Sequence, residues 1–167
     1  MNIYLFGTIG KAQTVISELI KGIEARERNI TLYINSGGGK VGSMAAITDL
    51  ILSVNPDITK ITTFCTGIAY SAAATILAAG HKRIATKHSR IMIHQAWKSL
   101  YGGYNSIELQ EKMEELQMSQ DICNKLLSQL TKQPLEKIKK DTEKDFYMTA
   151  EEALAYSIID EIQGVIK

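Results

Sequence analysis

The sequence has 167 residues, with 19 basic against 18 acidic side chains and a formal net charge of +1 at pH 7. No basic block stands out, which argues against nucleic acid or an anionic membrane as partner and leaves recognition to shape and apolar contact. A chain this long buries roughly 70% of the surface its unfolded form exposes, so no disulfide or metal staple is required. Cys65 and Cys123 lie far apart without metal-ligand spacing and read as reduced core thiols. The segment Met1–Phe6 lacks the basic region of a signal peptide, and no apolar run reaches the ~20 residues of a spanning helix. The expectation is a cytoplasmic protein forming one domain over residues 1–167.

Asn2–Phe6 reads as a short strand ended by Gly7, and Ala12–Ala25 as an amphipathic helix with Val15, Ile16, Leu19, Ile20 and Ile23 on one side. Ile30–Asn35 is a second strand, which Ser36-Gly37-Gly38-Gly39 turns into a helix from about Val41 to Val54, stopped by Asn55-Pro56-Asp57. The strand Lys60–Phe64 and the uncharged stretch Thr66–Gly80 repeat the unit. Such alternation predicts an α/β fold with parallel strands and its functional residues at one edge of the sheet. Beyond Gly80 come a brief strand at Ile84-Ala85, a buried strand Ile91–Ile93 running into His94, and an aromatic, Gly-rich ribbon or loop over Trp97–Tyr104. A helix from about Ile107 to Leu130 would span roughly 36 Å. Its positions Leu109, Met113, Leu116, Cys123, Leu127 and Leu130 draw a seam suited either to the chain's own core or to another subunit. A short helix from Pro134, a loop at Lys140–Tyr147, a helix Ala150–Tyr156 and a strand near Ile158–Ile162 follow.

Ser71 lies at the first turn of the uncharged helix, among small residues that let other backbone approach and near free N–H groups. It is either a nucleophile or a helix cap. Gly37-Gly38-Gly39-Lys40-Val41-Gly42 matches the dinucleotide spacing Gly-x-Gly-x-x-Gly. However, the next strand ends Phe64-Cys65-Thr66 without the acidic residue that would hold a ribose, and Val41 replaces the hydroxyl of a phosphate loop. The glycines still offer backbone N–H groups suited to an oxyanion. Of three histidines, His81 and His88 sit in polar turns, while His94 ends a buried strand and can be held still. Asp141, Asp145 and Asp160 are all candidates for its orienting carboxylate, and spacing does not choose between them. The order Ser, His, Asp and the absence of Gly-x-Ser-x-Gly disfavour an ordinary esterase or lipase.

Four ordered stretches carry a resemblance: Leu32–Gly39 (LYINSGGG), Gly67–Ser71 (GIAYS), Ser89–Gln95 (SRIMIHQ), and Gln133–Ile138 (QPLEKI) with Asp141–Asp145 (DTEKD). The chain is similar to the Clp protease proteolytic subunit family, ClpP, of the crotonase-like superfamily, over about Phe6 to Ile162. The resemblance implies a spiral of strand-strand-helix repeats with a projecting handle, here about residues 96–132. It implies a serine endopeptidase with Ser71 as nucleophile, His94 as general base and Asp145 as its carboxylate. Oxyanion donors would be the Gly38 and Ala72 N–H groups, and the peptide would lie between Gly39–Val41 and Gln95-Ala96. No metal or cofactor is implied. The family assembles as heptameric rings stacked in pairs into a tetradecamer, and unfolded protein is fed in by an AAA+ unfoldase that uses ATP. Here the chain starts almost at the first strand, so the expected axial gate is missing or very short and pairing with an unfoldase is in question. Gln95-Ala96-Trp97-Lys98-Ser99 replaces the usual Gln-Pro-Leu-Gly-Gly, Lys144 stands where Arg is usual, and Ala72-Ala73 stand where Met-Gly is usual. A catalytically silent ring-forming subunit with a misaligned triad is the first alternative, and a crotonase-type acyl-CoA enzyme the second.

Overall fold

Three strand–helix units open the chain: β1 (Asn2–Ile9), α1 (Gln13–Glu24), β2 (Asn29–Gly39), α2 (Val41–Ser53), β3 (Lys60–Tyr70) and α3 (Ala72–Ala78). The computed structural model describes residues 1–164; residues 165–167 of the expected 1–167 domain lie outside the described residues. Successive side chains of a strand point to opposite faces, and β2 obeys this by burying Ile30, Leu32, Ile34 and Ser36 beneath the helices while Thr31 and Tyr33 face outward. Ile30, Leu32 and Ile34 are completely buried, which stabilises by about 1.5–3 kcal/mol per side chain. All seven residues of α3 are buried, as a helix of Ala, Thr, Ile and Leu requires.

The strands β4 (Lys82–Thr86), β5 (Arg90–Ile93), β6 (Phe146–Thr149) and β7 (Glu161–Gln163) complete a seven-stranded sheet of order β1-β2-β3-β4-β7. That path is parallel throughout. The strand β3 serves two neighbours in turn, pairing with β4 through Thr62–Cys65 and then with β5 through Ile68–Tyr70. This extends it well past the Phe64 at which its apolar alternation stops, up to Tyr70, and α3 then begins at Ala72 with Ser71 at its N-terminus. In the same way β2 continues through the glycines to Gly39, because β1 pairs with that stretch. The loop expected at Lys140–Tyr147 is shorter, bounded by α5 (Leu135–Asp141) and by β6, whose four residues are strand only because antiparallel pairing to β5 makes them so.

No helix or strand lies between β5 and α4 (Ser106–Thr131), which confirms a loop there. The start of α4 is set by a capping box: Asn105 accepts from the Ile107 and Glu108 amides while Glu108 reaches back to the Asn105 N–H. Its seam divides. Asn124, Leu127 and Thr131 are buried against the body, whereas Ile107, Met113 and Met118 are each more than 65% exposed, so the N-terminal half projects. Arg83 ties the far end together, donating to the carbonyls of Leu130 and Ser157 and to the Asp160 carboxylate beyond α6 (Ala150–Ala155). On the open face of the sheet Tyr4 stacks on Tyr33, and Phe64 meets Tyr33 edge-on. Among the described residues no helix is long and apolar enough to cross a membrane.

Candidate active site

The carboxyl ends of three parallel strands converge, which is where α/β sheets place their chemistry. The last residue of β3 is followed by Ser71, that of β5 by His94, and β2 ends in the glycine run. Ser71 sits at φ 57° and ψ −124°, a conformation an L-residue occupies only at a cost of order 1–3 kcal/mol. The turn is pinned by the Ser71 N–H donating to the Met92 carbonyl at 2.7 Å, and by the Ser71 carbonyl accepting from Ala74 at 2.9 Å. Although Ser71 precedes a helix, its side chain makes no capping hydrogen bond. Instead Oγ lies 2.9 Å from His94 Nε2.

The other ring nitrogen, Nδ1, is 3.1 Å from Asp145 Oδ1. An ionised carboxylate only accepts, so Nδ1 carries the proton and bare Nε2 accepts from the Ser71 hydroxyl. The register explains why Asp145 is the partner. Antiparallel pairing sets Ile93 opposite Phe146, and one step further along both strands sets His94 against Asp145. The rival carboxylates are engaged elsewhere: Asp141 accepts from Lys137 and from the Tyr156 hydroxyl, and Asp160 from Arg83. The His94 side chain is 17% exposed and that of Asp145 is 53% exposed. The Tyr147 hydroxyl approaches Asp145 Oδ2 at 3.4 Å, and burial together with the Asp145 charge raises the phenol above its usual range.

Gly38 lies directly on the serine turn. A Cβ added there would come within 2.6 Å of the Tyr70 carbonyl oxygen and 2.8 Å of Ser71 Cβ, and 3.2 Å from the Ala72 nitrogen. The two amides expected to serve an oxyanion are therefore neighbours. In this structure the Gly38 N–H donates to the buried Ser36 hydroxyl at 3.1 Å. A groove of about 900 Å³ passes over Ser71 and His94, walled by Gly39–Val41 on one side and Ala96–Lys98 on the other, with Glu115 paired to Lys98 at 2.6 Å. Gln95 is not among its walls; it lines the depressions beside Glu143.

Residues inside the quoted motifs that carried no assigned role turn out to hold the stretch Cys65–Ile68, where β3 changes neighbours. Asn35 Oδ1 accepts from the Ile68 N–H, and the buried Ser89 hydroxyl accepts from Gly67 N–H and donates to the Cys65 carbonyl. The change from apolar to polar residues at Asn35 is the signal that could have found it; Ser89, between His88 and Arg90, offered none. Tyr147 lacked any such signal.

An α/β body with a serine, a histidine and a carboxylate in series at the ends of its strands has the arrangement of a serine-type hydrolase. The Clp protease family model matches residues 2–165. Over 150 residues the chain is 41% identical to a protein named ATP-dependent Clp protease proteolytic subunit 1 from Gloeobacter violaceus, covering 89% of this chain and 74% of that one. The chain belongs to the Clp protease family, and its enzyme class is that of a serine-type endopeptidase.

Proposed function

We propose that this chain, as one domain, hydrolyses peptide bonds inside an oligomeric ring chamber by a Ser71–His94–Asp145 triad. The observation that carries the reading is the series of contacts at 2.9 and 3.1 Å from a serine hydroxyl that caps no helix. Ser71 attacks the scissile carbonyl as His94 Nε2 takes its proton, and the imidazolium then protonates the leaving amine. Asp145 holds the ring in the required tautomer and balances its charge. Water, deprotonated by the same nitrogen, releases the acyl group. The Ala72 N–H and the Gly38 N–H face the developing oxyanion, the latter exchanging the Ser36 hydroxyl for the substrate oxygen. One such donor is worth about 10²–10³ in rate. The peptide pairs by main chain with Gly39–Val41 and with the Gln95-Ala96 segment, so the outward Gln95 side chain costs nothing.

The chain itself needs no cofactor in this reading, and ATP is used only by an AAA+ unfoldase that presents folded substrates. Heptameric rings stacked in pairs in the cytoplasm fit the apolar surface left on α4, where Ile107, Met113 and Met118 project without partners in the described chain. Ser71→Ala tests the reading. Cleavage of a fluorogenic peptide should vanish while the native mass stays that of the wild-type assembly; retained cleavage would put the nucleophile elsewhere.

A further inference from the structure

A second cavity opens from the groove floor beside Ser71, and nothing in the chemistry above uses it. It measures about 20 Å³ and shares Val41, Ser71, His94 and Ala96 with the groove. Its deeper walls include Thr75 from α3 and Cys123 and Leu127 from α4. A single water needs about 10–15 Å³ measured in this way, so the cavity takes one methyl-, hydroxyl- or thiol-sized group and no branched or aromatic one. No carboxylate, ammonium or guanidinium lines it. Burial pushes the Cys123 thiol up to about 11, so that wall is uncharged at neutral pH. The walls at Thr75 and Leu127 cannot yield cheaply, since both are buried in the packed core.

A peptide paired on both edges is extended, and its side chains alternate between floor and solvent. The residue that supplies the scissile carbonyl stands next to Ser71 Oγ, so its side chain is the one delivered to the floor at this point. We propose that this cavity receives that side chain and restricts cleavage to bonds after small uncharged residues, Ala, Ser or Cys, with Cys123 and Leu127 setting its depth. The inference rests on the peptidase reading and adds its substrate class. In an apolar pocket one surplus methylene discriminates by about 10–200-fold. Leu or Phe in place of Ala should therefore lose at least about tenfold.

The test uses the assembled protein and peptidyl diphenyl phosphonates that differ only in the side chain beside phosphorus: Ala, Leu or Phe. Ser71 Oγ bonds to phosphorus, phenoxide leaves, the serine proton passes to His94, and intact mass follows the adduct. A fluorophosphonate without a peptide arm reports the triad alone, and every rate is taken relative to it. The wild type should react at least tenfold faster with the Ala probe than with the Leu probe. Cys123→Ala should narrow that ratio at least threefold, and Cys123→Met should slow the Ala probe at least tenfold. Equal or faster reaction with Leu or Phe overturns the inference, as does an Ala preference that neither Cys123 variant alters. Labelling by the fluorophosphonate without labelling by the Ala probe overturns the cavity alone. Failure of the fluorophosphonate to label Ser71 overturns the peptidase reading and takes the inference with it.

Discussion

Replacing Gly38 by Ala separates close approach from mere glycine content. The added methyl would lie 2.6 Å from the Tyr70 carbonyl oxygen and 2.8 Å from Ser71 Cβ. Against an ordinary contact of about 3.5 Å, these are short by roughly 0.9 and 0.7 Å. The first clash is with backbone and the second with a Cβ fixed to it, so no rotamer change relieves either. The end of β2 and the serine turn must separate by nearly 1 Å. Gly38 also sits at φ +95°, which side chains avoid. Strain of about 1–3 kcal/mol and overpacking of about 1–3 kcal/mol together remove about 2–6 kcal/mol of stability. A displacement near 1 Å at the reacting groups costs about 10² in rate. The paired variant Gly37→Ala places its methyl where nothing lies within 4 Å, and should lose less than about threefold. Peptide kcat/KM and urea unfolding midpoints of the two variants make the comparison. Gly38→Ala within threefold of wild type, or equal losses in both, would refute the argument from close approach.

Three further outcomes follow from particular contacts. Asp145→Asn should lower kcat by about 10²–10³, less than the ~10⁴ typical of a buried triad carboxylate, because the Asp145 side chain is 53% exposed; unchanged kcat would sink its positioning role. Arg83→Leu should destabilise by about 2–3 kcal/mol in urea, below the cost of breaking a fully buried pair because the Asp160 side chain is 40% exposed. Arg83 holds the Asp160 carboxyl below the usual range. The wild type's advantage over this variant is therefore full above about pH 4 and shrinks as pH falls further; an advantage independent of pH would contradict this. His81 Nδ1 accepts from the Ile61 N–H at 3.0 Å and Nε2 donates to the Ile51 carbonyl at 3.2 Å, so the ring is neutral, and burial lowers its pKa. Between the folded value and about 6.5 the unfolded chain binds more protons, so stability is full above about pH 6.5 and declines as pH drops through it. Relative to wild type, His81→Leu should lack that decline in urea unfolding between pH 7 and 5.5.

Local physics made much of the fold readable from residue order. The alternation in Ile30–Asn35 and the apolar face of Val15–Ile23 are written in neighbouring residues, so strands, helices and their parallel arrangement were legible without contacts. The motif resemblance carried Ser71, His94 and Asp145 together; their spacing alone left three aspartates open and Ser71 better suited to capping a helix than to attack. Those choices needed distant partners. The strand β6 exists because β5 supplies its hydrogen bonds, and that register sets Asp145 against His94 while Lys137 and Arg83 occupy its rivals. The divided seam of α4 likewise depended on where the body ends. Sequence by itself determined which segments bury an apolar face and, through its motifs, which family the chain resembles. Tertiary structure decided which carboxylate meets the histidine, why Ser71 is turned out of its helix, and how little room lies beside it, because each depends on strand pairing and packing between residues far apart in the chain.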